Sequence, residues 1–140
     1  MLLNEQRRDL FTVPDDWHLA HCIAEDLGMG KGIALPMRKK FKLRGKIEAS
    51  GESIKHPTCI LTGRVFNLIT KRRSGGKPSY DTLRGALEKM RDIALEKGVR
   101  QIAMPKIGCG LDRLQWGRVR EMLLDVFADT DVEILVCIWR

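Results

Sequence analysis

Long apolar runs are missing from this 140-residue chain, and nothing in it approaches the roughly 20 consecutive apolar residues that a membrane-crossing helix requires. Membrane-embedded functions are therefore not expected. Its four cysteines, Cys22, Cys59, Cys109 and Cys137, form no C-x-x-C pair. That spacing argues against a zinc ribbon or a disulfide framework and for free thiols in a reducing compartment. The first residues, MLLNEQRRDLF, lack the charged-then-apolar pattern of a secretory signal, which points to a cytoplasmic location, or a nuclear one in a eukaryotic cell. There is no basic tail, internal repeat, linker or low-complexity segment. The net charge of +7 is spread along the chain and gathers only at RKKFKLRGK (38–46) and KRRSGGK (71–77). Such clusters serve phosphate-bearing ligands or plain solvation, and the first reads as a solvated helix face. The length suits a single domain over residues 1–140.

What is present is an alternation of strand and helix patterns. DWHLAHCIA, from Asp16, reads as a buried strand, and EDLGMGKG then supplies three glycines before a helix start at IALPMRKKF. Asp26, Gly28, Gly30 and Gly32 form a turn whose amides are candidates to face an anion, although the spacing matches neither a Walker loop nor a dinucleotide fingerprint. TCIL and VFNLITK flank a TGR turn and predict a hairpin, with Val65, Asn67 and Ile69 on one face and Phe66, Leu68 and Thr70 on the other. Ser79 opens a helix whose Tyr80, Leu83, Leu87, Met90 and Ala94 recur at three- and four-residue steps until Gly98. VRQIAMPKI is the next strand. WGRVREMLLDVFADT is a helix with Val119, Met122, Leu123, Val126 and Phe127 on one face, and VEILVCIW is a closing strand. The expected fold is α/β, with helices on both faces of one sheet. Loops after residues 24, 70 and 107 all follow strands and so converge on one crevice at the carboxyl edge.

Three constellations carry chemistry. GCG at 108–110 reads as a backbone device rather than a nucleophilic site, because flanking glycines permit positive φ and close approach, while His18, His21 and His56 are all distant in sequence. Asp112, just past those glycines, is equally an acid or base and a cap for the following turn or helix. Lys71 ends an apolar strand, where a partly covered amine can serve as a nucleophile. His18 and His21 point to opposite faces of a strand, which disfavours a metal pair and makes His21 a core histidine.

The ordered blocks LAHCIAED, GMGKGIA, LITKRRSGGKPSY and MPKIGCGLDRLQW resemble a macrodomain of the branch that includes terminal ADP-ribose protein glycohydrolase, also described as an O-acetyl-ADP-ribose deacetylase. The resemblance runs from about Arg8 to Arg140. It implies a three-layer α/β/α sandwich around a mixed sheet, with ADP-ribose across the crevice. Asp9 matches the aspartate that contacts adenine, with Leu10 beside it. Gly28, Met29, Gly30, Gly32, Ile33 and Ala34 match the loop around the distal ribose and diphosphate. Ile107, Gly108, Cys109, Gly110 and Leu111 match the second phosphate loop. His21 and Thr70 complete the implied binding set, and Trp139 and Arg140 are candidates for the adenine side. In this branch the lysine of LITK forms a lysyl-ADP-ribose intermediate and the aspartate of GLD helps resolve it, which implies catalytic roles for Lys71 and Asp112. The resemblance implies no cofactor and no metal.

Arg8 stands where macrodomains commonly have glycine, and Ala24 replaces a serine of the closest pattern. The common N-A-A-N signature, found in a branch without the lysine, is absent. The implied activity is release of ADP-ribose from ester-linked Asp/Glu sites or deacetylation of O-acetyl-ADP-ribose. The implied partners are ADP-ribose and ADP-ribosylated proteins, with no membrane and a monomer as the default. Two alternatives stand beside it: removal of ADP-ribose from nucleic-acid bases, and a reader that binds ADP-ribose without turnover. The presence of both Lys71 and Asp112 weighs against the reader.

Overall fold

The hairpin expected between residues 58 and 71 lies at one edge of a single mixed sheet in the computed structural model, which describes residues 1–30, 32–110 and 112–138. Six strands are found among the described residues: β1 (Leu2–Arg7), β2 (His18–Ala24), β3 (Thr58–Thr62), β4 (Val65–Lys71), β5 (Gln101–Met104) and β6 (Glu133–Ile138). Their order is β1-β6-β5-β2-β4-β3, and every pairing is parallel except the β3/β4 hairpin. The helices are α1 (Ala34–Phe41), α2 (Leu43–Ala49), α3 (Tyr80–Lys97) and α4 (Trp116–Val126).

Strand alternation delivers two cores, one on each face of the sheet. Ala20, Phe66 and Leu68 pack with Leu83, Leu87 and Met90 of α3 and with Val119 and Leu123 of α4. Leu19, Ile23, Val65 and Ile69 pack on the opposite face with Leu10, Met37 of α1, and Leu43 and Ile47 of α2. Because both faces are covered, β4 is buried along nearly its whole length instead of alternating with exposed residues. The result is the three-layer α/β/α arrangement expected from the alternating pattern.

Long α3 is bounded by local chemistry. Ser79 Oγ accepts from Thr82 N at 3.0 Å while Ser79 N donates to Thr82 Oγ1 at 3.0 Å, a reciprocal cap. At the other end Gly98 takes a left-handed φ of 68° and the helix stops.

Sequence and structure differ at strand limits. The pattern assigns no element to residues 1–8, yet Leu2–Arg7 is an edge strand paired to β6. Leu3 is its one half-buried side chain, the others being exposed, so no apolar alternation marks it. Bonds from residues distant in sequence hold it instead: Trp116 Nε1 donates to Glu5 Oε1 at 2.8 Å and Arg120 Nε to Glu5 Oε2 at 3.2 Å. β2 starts at His18 rather than Asp16, because Trp17 N closes a turn on Pro14 O. β5 ends at Met104, just before Pro105, which has no N–H to extend a ladder.

The strand order matters for function. From β2 the chain passes to β3 and β4 on one side, then crosses through α3 to β5 on the other. β2 therefore sits where the direction of winding reverses, and the loops leaving β2, β4 and β5 share its carboxyl edge.

Candidate active site at the carboxyl edge of the sheet

Lys71 is the last residue of β4, and its Nζ donates to Asp112 Oδ1 at 2.6 Å and to Gly76 O at 3.2 Å. The two side chains are only 12% and 13% exposed, so the ion pair is largely withdrawn from water. Asp112 comes from the loop between β5 and α4. It does not cap α4, which takes Gln115 at its N-cap position with no side-chain cap bond. That loop reverses direction at Gly108, whose φ is 73°. The turn is closed by Leu114 N donating to Gly108 O at 2.6 Å. A Cβ at Gly108 would stand 3.0 Å from Leu114 Cδ1 and 3.3 Å from Leu83 Cδ2, so this position needs glycine for both reasons. Gly110 faces open space and has no such need.

The loop from β2 to α1 is ordered by a carboxylate rather than by free amides. Asp26 Oδ1 accepts from Gly28 N at 2.9 Å, and Oδ2 accepts from Ser74 N at 2.8 Å. Ser74 Oγ also donates to Asp26. These bonds, Ser74's first, hold the Asp26 carboxyl below its usual pKa. The expected anion-facing turn is thereby corrected at Gly28, whose amide is already used. Gly28 is glycine for another reason: a Cβ there would collide with Ser74 Oγ. Left-handed angles in this loop fall on Leu27 (54°), Met29 (45°) and Gly32 (59°), and Arg38 Nη1 pins the loop by donating to Gly28 O at 2.9 Å. Two non-glycine residues held in that region store strain that the surrounding bonds must offset. Met29 is buried, Gly30 faces open space, and Ile33 and Ala34 begin α1 half-buried. Ile33, at the N-cap, makes no side-chain cap bond, so the opening amides of α1 lack the usual local acceptor.

Asp9 follows β1 and caps a short 3-10 turn, its Oδ1 accepting from Phe11 N at 3.0 Å; Leu10 beside it is buried. Leu111, Trp139 and Arg140 lie outside the described residues. His21 and Thr70 are set inside the protein, 0% and 1% exposed. His21 Nε2 meets Asn67 Oδ1 at 2.7 Å, and Asn67 Nδ2 is committed to Ile60 O and Thr62 Oγ1, so the imidazole must donate through Nε2. Burial lowers the His21 pKa to about 4 against the raising effect of that bond, which keeps the ring neutral. His21 Nδ1 and Thr70 Oγ1 are buried without a partner among the described residues.

Cys109 donates its thiol to Ile107 O at 3.3 Å, and burial pushes its pKa up. Its own amide is committed to Lys106 O. None of the histidines serves it: His18 packs on Phe66, His21 bonds Asn67 and His56 bonds Glu25. A thiol so placed is not an activated nucleophile. Cys22 lies under the site. Burial raises its pKa and the Asp112 charge adds to the effect, while Lys71 and a bond from the Gly108 amide oppose it. Among the described residues no group of three His, Cys, Asp or Glu side chains is arranged to hold a metal ion.

The sequence reading overlooks Ser74 and Glu25, and considers His56 only as a base for Cys109 rather than as the partner of Glu25. Asp26-x-Gly28 carries a readable signal, since an aspartate two residues before a glycine favours an Asx turn. No local pattern marks Ser74 as its partner.

The macro domain family model matches residues 21–123. The chain is 45% identical over 135 residues to the ADP-ribose glycohydrolase OARD1 of Homo sapiens, covering 91% of this chain and 86% of that protein. Among solved structures, the macrodomain of Thermus aquaticus DarG superposes with a TM-score of 0.79 at 23% identity, over 97% of each chain. Thermosipho africanus DarTG in complex with ADP-ribose superposes with a TM-score of 0.76 at 16% identity, over 98% of this chain and 41% of that one.

Proposed function

The chain belongs to the macro domain family, and from that premise we propose that it is an ADP-ribosyl hydrolase acting on ADP-ribose joined to a carboxylate. Its substrates are mono-ADP-ribosylated Asp or Glu side chains and, with acetate as the smallest leaving group, O-acetyl-ADP-ribose that carries its acetyl on the anomeric oxygen. The relative at 45% identity is itself named an ADP-ribose glycohydrolase. The observation that carries the reading is the 2.6 Å contact between Lys71 Nζ and Asp112 Oδ1, largely withdrawn from water at the crossing of three loops. Binding alone requires neither group.

The pair performs the reaction in two displacements. Asp112 takes a proton from Lys71, and the neutral amine attacks the anomeric carbon of the distal ribose. A C–N bond forms as the ester C–O bond breaks, and the departing carboxylate collects the proton from Asp112. Asp112, again a carboxylate, then draws a proton from a water molecule attacking the same carbon. The C–N bond breaks, and Lys71 recovers its proton from Asp112. One water is consumed, and ADP-ribose and the free acid are released. Replacing a hydration shell by a fixed ion pair next to the reacting carbon is what the loops contribute. Gly76 O, the other acceptor of Lys71, keeps Nζ aimed during proton loss.

Lys71→Ala and Asp112→Ala should each abolish ADP-ribose release from an ester-linked ADP-ribosyl protein while calorimetry still detects ADP-ribose binding. Mass spectrometry of the wild-type reaction should find an ADP-ribose adduct on Lys71. Full hydrolysis by Lys71→Ala would overturn the mechanism.

A further inference from the structure

Lys71 stands between two spaces. On one side are the glycine loops; on the other is a separate depression of about 430 Å³. Strand-end residues Thr70, Lys71, Arg72 and Arg73 form one wall of this depression. Its other walls come from the loop at Gly76 and Lys77, the first turn of α3 at Ser79 and Thr82, and His56. Among the described residues, none of 28–34 or 107–110 reaches it. If ADP-ribose occupies the glycine-loop side, as the proposed function requires, then the bond broken at Lys71 points its leaving group into this second space.

We propose that the depression is an acceptor subsite that binds acidic side chains flanking the modified carboxylate of a peptide substrate. The inference rests on the hydrolase reading and names the substrate class for it. Among the described residues no acidic side chain lines the walls, whereas Arg72 and Arg73 are exposed cations at the rim and the positive end of α3's dipole lies beside them. Thr70 supplies the independent sign of a missing ligand. It is 1% exposed, it lines the depression, and its Oγ1 has no hydrogen-bond partner among the described residues. A buried hydroxyl left unpaired is costly, and a small opening of the Thr70 wall that brings it to an acceptor oxygen of the bound peptide removes that cost. Ser79 and Thr82 hydroxyls, by contrast, are already engaged in the helix cap. A nucleic-acid leaving group is less well served, because splayed bases are held by stacking on aromatic rings, and the one such ring among the described lining residues, His56, is tied by its Nδ1 to Glu25.

The test compares two synthetic peptides, each carrying one Glu-linked ADP-ribose, flanked by Asp/Glu in one and by Asn/Gln in the other. O-acetyl-ADP-ribose and an ADP-ribosyl-thymidine oligonucleotide run in parallel. Wild-type kcat/KM should favour the acidic peptide by about tenfold. The double variant Arg72→Gln/Arg73→Gln should bring that ratio close to one while O-acetyl-ADP-ribose turnover stays within about twofold. Thr70→Val, which keeps the shape and removes the hydroxyl, should lower the ratio without lowering stability.

Binding is read separately in the Lys71→Ala background. There the intact acidic peptide should bind more tightly than free ADP-ribose, and the arginine double variant should remove the margin. Equal turnover and equal binding of the two peptides overturn the subsite, as does a loss confined to the oligonucleotide. Failure of the wild type to hydrolyse any ester substrate overturns the hydrolase reading instead, and the binding arm still decides the subsite.

Discussion

Acid should weaken this protein through one buried imidazole. His21 is fully buried in the middle of β2, donates to Asn67, and has a pKa lowered to about 4 from an ordinary 6.5. A group whose folded pKa lies below its unfolded one binds its proton more readily in the unfolded chain. Its contribution to stability is complete above the unfolded value of 6.5 and declines as pH falls toward 4, below which nothing further is lost. Within that window the unfolded chain carries about one more proton, so stability changes by about 1.4 kcal/mol per pH unit, and about 3 kcal/mol in all.

Carboxylates titrate over the lower part of the same range, so the measurement is a difference between proteins. His21→Gln retains an amide that can donate to Asn67 Oδ1 and has no proton to gain. Urea denaturation of both proteins at pH 7.5, 6.5, 5.5 and 4.5 gives two stability curves in which the shared carboxylate contribution cancels. The wild type should fall more steeply than the variant between pH 6.5 and 4.5. Parallel curves, separated by a constant offset, would refute the claim that His21 is held neutral by burial.

Two further substitutions probe the loops. Gly108→Ala should destabilise by about 1–2 kcal/mol in urea titrations, since its φ of 73° and the leucine side chains at 3.0 and 3.3 Å both oppose a Cβ. Gly110→Ala, with open space around it, should change stability by less than about 0.5 kcal/mol. Asp26→Ala removes the bonds to Gly28 and Ser74 that tie two loops together. It should raise KM for an ester-linked substrate roughly fivefold, with the effect constant from pH 5 to 8, because the lowered Asp26 pKa leaves that carboxylate ionised throughout. An unchanged KM would remove the clamp from the account of binding.

Much of the architecture is written in neighbouring residues. The cap at Ser79, the stop at Gly98 and the apolar steps between them predict α3 nearly to the residue, because helix limits depend on groups within one or two turns. The TGR turn between TCIL and VFNLITK predicts the β3/β4 hairpin at the residues where it forms. β1 escapes because edge pairing depends on backbone groups of a strand more than a hundred residues away, and its side chains hardly distinguish it from a loop.

The candidate site divides in the same way. Composition and spacing alone rank the GCG glycines above the thiol between them, and the geometry around Gly108 and the raised pKa of Cys109 agree. Residue by residue, however, Asp112 reads equally as a helix cap, and only the resemblance to macrodomains joins it to Lys71. Tertiary structure decides that contact, across 41 residues, and the Asp26–Ser74 clamp, across 48. Both arise because parallel pairing sets the carboxyl ends of β2, β4 and β5 side by side. That order is a property of how strands assemble, and no local periodicity encodes it.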